Sequence, residues 1–113
     1  MHPDERDLDQ LYVMARYCRR ALDDIERFGH DYEVFCHDSA YQDATALCLI
    51  QIGEATHRLG DEFKEAHPEV AWADIYGMRN HLVHGYDAFD PEIAWDALTR
   101  YVPDLLAFCQ RWM

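Results

Sequence analysis

Residues 8–29 read LDQLYVMARYCRRALDDIERFG. Within them Leu8, Leu11, Tyr12, Ala15, Cys18, Leu22, Ile25 and Phe28 recur at three and four residues, and Gly29 follows the last. That period predicts one amphipathic helix over about residues 5–28, stopped by glycine. A second helix follows from Asp38 or Ser39, either of which can cap it. Its residues Ala44, Leu47, Cys48, Leu49, Ile50, Ile52, Ala55 and Leu59 are apolar on more than one side, so it should run centrally and end at Gly60. Between the two, residues 30–37 mix aromatics with acids and predict no more than a short helical turn. Residues 61–67 read as a short polar helix stopped by Pro68, and the next helix spans about residues 70–84, with Gly85 as its exit. Asp90-Pro91-Glu92 places a cap residue before a proline at the first helical position, and a final helix is expected over about residues 103–112. No strand-like alternation, repeat or low-complexity run interrupts this pattern. The expected fold is all-α: residues 1–113 as a single domain, an up-and-down bundle of four main helices plus short extra helices.

A chain of 113 residues, half of them apolar, can bury one core but lies near the size at which association helps stability, so a homodimer is expected. No stretch approaches the roughly 20 apolar residues of a membrane helix, and the charged opening Met1-His2-Pro3-Asp4-Glu5-Arg6-Asp7 is unlike a signal peptide, which predicts a soluble, cytoplasmic protein. Cys18, Cys36, Cys48 and Cys109 form no Cys-x-x-Cys pair and sit mostly inside apolar runs, as free buried thiols do. The formal charge of −12 argues against nonspecific nucleic-acid binding, because phosphate neutralisation by cations supplies most of that affinity. Lys64 is the sole lysine. Any basic surface has to come from arginines, and Arg16, Arg19, Arg20, Arg58 and Arg79 are candidates to converge on one face.

The densest chemistry lies at residues 79–86, Arg-Asn-His-Leu-Val-His-Gly-Tyr, at the end of a helical stretch. On a helix Asn80 and His84 stack on one face, while Arg79 sits about 40% of a turn from His84. Gly85 can take positive φ, which lets Tyr86 fold back toward the imidazole. The Arg, four residues, His, one residue, Tyr string resembles the signature of HEPN-domain proteins, specifically the HepT-like toxins that pair with minimal nucleotidyltransferase (MntA-type) antitoxins. Asp43-Ala44, Leu49-Ile50-Gln51-Ile52-Gly53-Glu54-Ala55, Trp72 and Gly77-Met78-Arg79-Asn80 extend the resemblance, which covers roughly residues 35–106. Cys48 and Ala71 depart from the family pattern, which more often has a polar residue and a proline there. Neither departure touches Arg79, His84 or Tyr86.

The resemblance implies a type VII-like toxin that cuts RNA without a metal and needs no cofactor. Such a cut requires a base for the ribose 2′-OH, an acid for the departing 5′-oxygen and positive charge at the phosphate. His84 is the expected base or acid: the helix C-terminus favours its cation and Arg79 opposes it, which suits proton transfer in either direction. Arg79, permanently charged and fork-shaped, is the expected grip on the phosphate. Asn80, Tyr86 and Glu54 are expected in support, Asn80 orienting phosphate or imidazole, Tyr86 donating to a phosphate oxygen and Glu54 steadying the motif helix. One histidine cannot easily serve as both acid and base, so the site is expected to be composite, with two protomers bringing their motifs together. HEPN domains commonly dimerise in that way. The resemblance also makes Tyr86 the residue to which the partner nucleotidyltransferase attaches AMP, blocking RNA entry by bulk and like charge. His81 falls where the motif is free and is read as a neighbour. Gly53 and Gly77 are expected at close helix contacts.

Two other readings stay open at this point. One is a noncatalytic helical partner that docks a nucleotidyltransferase. The other is a metal-binding bundle, in which Glu54 and His57 supply a Glu-x-x-His motif and His81, His84 and Asp87 a second ligand set, although a di-iron site needs two such motifs and two further carboxylates.

Overall fold

The computed structural model describes residues 3–84 and 89–113, and every regular element among them is helical. Helix α1 spans Glu5–Phe28, α2 Tyr32–His37, α3 Ser39–Arg58, α4 Asp61–Ala66, α5 Trp72–His84, α6 Pro91–Asp96 and α7 Val102–Gln110. The starts are set by aspartates whose carboxylates accept otherwise unpaired N–H groups: Asp4 from Asp7, Asp31 from Glu33, Asp38 from Tyr41 and Asp90 from Glu92. At the end of α1, Gly29 turns the chain with φ +118°, a conformation that L side chains rarely adopt.

Helices α1 and α3 run antiparallel and are tied at both ends. The Gly60 N–H, just past α3, donates to Asp7 Oδ1 in the first turn of α1 at 2.9 Å, and the Tyr41 hydroxyl at the start of α3 donates to the Gly29 carbonyl at 2.9 Å. Asp7 is buried, and the Gly60 amide is what satisfies its carboxylate there. Leu11, Met14, Ala15, Cys18, Ala21 and Ile25 of α1 meet Cys48, Leu49, Ile52 and Ala55 of α3, with α7 closing the same core through Val102, Leu105, Phe108 and Cys109. An aromatic group at one end joins Phe35, Tyr41 and Trp95, and another joins Phe63, His67, Phe108 and Trp112.

The thiols are free, as the sequence predicts. Cys18, Cys48 and Cys109 are buried and Cys36 is partly exposed. Burial pushes all three buried thiols up, Cys48 to about 11 and Cys109 to about 12, so they remain protonated and chemically quiet at neutral pH.

The clearest departure from expectation is at the C-terminal side. The two helices expected there are one rod, because a π-helical turn, Ala97–Tyr101, joins α6 to α7 without a break. Pro103 lies just beyond it. A proline ring has no N–H and crowds the carbonyl four residues back, and the widened turn, in which the Val102 N–H donates to the Ala97 carbonyl, accommodates it. Helix α5 begins at Trp72, two residues later than the expected start, and the Trp72 indole N–H donates to the His67 carbonyl at 2.9 Å to fix the turn after Pro68. Among the described residues no helix is long and apolar enough to cross a membrane.

Candidate functional site

Helix α5 carries the motif and lies antiparallel on α3, since Tyr76 faces His57 while Arg79 faces Gly53. The crossing is tight at Gly53: a Cβ there would overlap the β-carbon of Arg79 and lie 2.9 Å from its Cγ. Gly77, by contrast, faces open space, so the expectation of a close contact at both glycines holds only for Gly53. The missing side chain at Gly53 is what lets Arg79 settle against α3.

Once there, Arg79 is held by two side chains. Its Nε donates to the Glu54 carboxylate, and Nη1 donates to Asn80 Oδ1 at 2.8 Å. The guanidinium also lies 5.8 Å from the Tyr76 ring centroid. Glu54 is shared with Arg58, whose Nη2 is 3.8 Å from its other oxygen. Two guanidinium groups thus flank one carboxylate, leaving a local excess of positive charge. The side chains of Arg79 and Glu54 are 21% and 25% exposed, so the pair is sheltered yet reachable. A guanidinium has five N–H donors. With one given to Glu54 and one to Asn80, the other three have no partner among the described residues.

His84 is the last residue of α5 and is exposed, five residues beyond Arg79. It is turned to solvent, not into an apolar interior. Tyr86, Gly85 and Asp87 lie outside the described residues. His81 is half-buried at a groove with Gly77, Met78, Glu92 and Ile93, and its Nε2 is enclosed without a hydrogen-bond partner among the described residues.

The arginines do not gather as one cluster. Arg58 and Arg79 meet at Glu54, whereas Arg16 and Arg20 lie against the Tyr17 ring on α1, at 5.8 and 5.1 Å from its centroid, and Arg19 reaches the Met113 sulfur. Helical periodicity places α1 arginines on the outer face of that helix and says nothing of which neighbour they approach. Nor do Glu54 and His57 act as a ligand pair: Glu54 is engaged by two arginines, and the His57 ring stacks on Tyr76 at 4.5 Å. Among the described residues no group of three or more His, Cys, Asp or Glu side chains is placed to hold a metal ion. Tyr76 is the participant that sequence reasoning missed, and the roles of Arg58 at Glu54 and of His57 against Tyr76 were not foreseen. The i,i+4 spacing from Glu54 to Arg58 and i,i+3 spacing from Tyr76 to Arg79 were the available signals.

Comparison with known proteins gives the family of the chain. The family model described as ribonuclease HepT-like matches residues 18–112. A protein of Caldanaerobacter subterraneus named as a putative RNase is 38% identical over 82 residues, 72% of this chain and 73% of that protein. A probable ribonuclease HepT of Thermococcus cleftensis is 33% identical over 75% of this chain and 79% of its own. A Methanocaldococcus jannaschii protein, also named as a putative RNase, is 31% identical over 84% of this chain and 80% of its own. No solved structure matches the chain. A match across most of its length shows that the chain belongs to the ribonuclease HepT-like family.

Proposed function

We propose that the protein is a metal-independent endoribonuclease, the toxin of a toxin–antitoxin pair, acting in the cytoplasm as one HEPN domain of residues 1–113. The observation that carries this reading is the posture of Arg79. Glu54 and Asn80 fix its guanidinium while its three other N–H donors have no partner among the described residues, on the same helix that ends in the exposed His84. A prepositioned fork beside a titratable imidazole suits phosphodiester chemistry.

In the proposed reaction the His84 imidazole takes the proton of a ribose 2′-OH. The 2′-oxygen attacks the adjacent phosphorus, and the bond to the 5′-oxygen breaks. A second, protonated imidazole supplies that leaving oxygen with its proton. The products are a 2′,3′-cyclic phosphate and a 5′-hydroxyl, and the imidazoles have exchanged roles. Arg79 holds the phosphoryl oxygens as their charge grows. The second imidazole comes from a partner copy, for which the exposed apolar residues Leu47 on α3 and Val83 on α5, 44% and 36% exposed, are part of a pairing face. Tyr86 is the proposed acceptor of AMP from a nucleotidyltransferase antitoxin, whose added phosphate would repel RNA.

Cleavage of a single-stranded RNA in chelator tests the reading. The wild type should cut and leave cyclic phosphate ends, and His84→Ala should cut about 10²- to 10⁴-fold more slowly. Adding excess His84→Ala protein to wild type should depress cutting below that of wild type alone if each site takes one imidazole from each protomer. Equal rates for wild type and His84→Ala, or loss of all cutting in chelator, would remove the proposal.

A further inference from the structure

Beside the Arg79 grip lies a second feature that the motif does not include. His57, one turn beyond Glu54 on α3, is exposed, and its ring lies nearly parallel to that of Tyr76, with centroids 4.5 Å apart and planes 11° apart. Tyr76 is in turn one turn before Arg79 on α5 and shares its cation–π contact. Neither the His57 ring nitrogens nor the Tyr76 hydroxyl makes a hydrogen bond to another described residue, so nothing polar explains why the rings pair. The pair forms one wall of a cleft of about 300 Å³ that also includes Trp72 and Lys64.

The rest of that cleft says which part of a nucleotide fits. Lys64 is occupied, donating to the Thr56 carbonyl at 3.3 Å and lying 3.7 Å from Asp61, and Glu65 adds a further carboxylate to the rim. A phosphate would meet two acids and a cation already in use. A flat, neutral base would meet aromatic faces and unpaired polar edges. Bases stack on such faces with little dependence on sequence, and only when they are not already paired within a duplex.

We infer that His57 and Tyr76 form a stacking platform for the unpaired base next to the phosphate held by Arg79, and that this platform makes the site selective for single-stranded RNA. The inference rests on the ribonuclease reading for its substrate but on separate residues for its geometry. His57 and Tyr76 bind and position the strand; neither exchanges a proton with it.

A binding readout that needs no cleavage separates the two ideas. Short RNA carrying 2-aminopurine is titrated into His84→Ala protein, alone and with His57→Ala or His57→Phe added. Stacking quenches the fluorophore. The expected result is quenching with His84→Ala, loss of it with His57→Ala, and its return with His57→Phe. In otherwise wild-type protein, His57→Ala should raise KM for single-stranded RNA about 5- to 100-fold with kcat little changed. Quenching that does not depend on His57, or a His57→Ala variant with unaltered KM, would overturn the platform while leaving the nuclease intact. Quenching that depends on His57 in a protein that cuts no RNA would sustain the platform and defeat the nuclease. Absence of both quenching and cleavage would defeat both.

Discussion

Helices α1 and α5 are both rich in apolar residues, yet they use them in opposite ways. Seven positions of α1 are buried, from Asp7 to Ile25, whereas Leu82 is the one buried position of α5. Helix α1 is therefore held by area removed from water. Helix α5 is held by fewer and more specific contacts: the close approach at Gly53, the Glu54–Arg79 pair, the His57–Tyr76 stack and the Trp72 anchor. Leaving a helix half-covered keeps its side chains available to a substrate or a second subunit, at the expense of local stability. The proposed chemistry sits on a long helix of which Leu82 alone is fully in the core.

The same substitution made on both helices should show the difference most strongly. Met14 is completely buried in α1, and Met14→Ala should cost about 2–5 kcal/mol; Met78→Ala on half-exposed α5 should cost about 1 kcal/mol or less, both read by urea unfolding. Comparable losses would show that α5 is packed as tightly as α1. A smaller but more local effect is expected at the crossing. Gly53→Ala forces the Arg79 side chain away, and we expect a loss of about 1–3 kcal/mol together with a fall in RNA cleavage. Unchanged stability and activity would mean that Arg79 has another seat. The mildest probe is alkylation of the native protein at pH 8. Cys36 should label first, while Cys48 and Cys109, pushed up to about 11 and 12 by burial, should label only on unfolding. Rapid labelling of all four would mean that the α1–α3–α7 core opens readily.

Much of the fold could be read from residues 8–29 and 38–60, where the period of three and four places Leu11, Ala15, Cys18, Ile25, Cys48, Leu49, Ile52 and Ala55 in the core, although Tyr12 and Leu47 of the same pattern are exposed and the buried Met14 and Ala21 fall outside it. The Asp38 cap and the Asp90-Pro91 start were equally plain, because they act over one helical turn; the Asp4 and Asp31 caps were not read. The joined α6–α7 rod was not, since a proline usually ends a helix and only a widened turn, supported by packing on both sides, lets the helix pass through it. At the site, Arg79 and His84 stood out by residue type and spacing. The place of Glu54 beside Arg79 could be guessed at only loosely, and the tie between Arg58 and the same carboxylate was not foreseen.

Local order along the chain was enough to determine the helices, their caps, the free thiols and the presence of one fixed cation and one imidazole on a single helix end. These depend on neighbours within a turn. Which arginine meets Glu54, which glycine is pressed by another helix, and which rings stack are matters of how α5 lies across α3. Tertiary structure alone decided them, because a contact between residues 25 positions apart in the chain depends on the angle and depth of packing between two helices, and no periodicity within either helix encodes that.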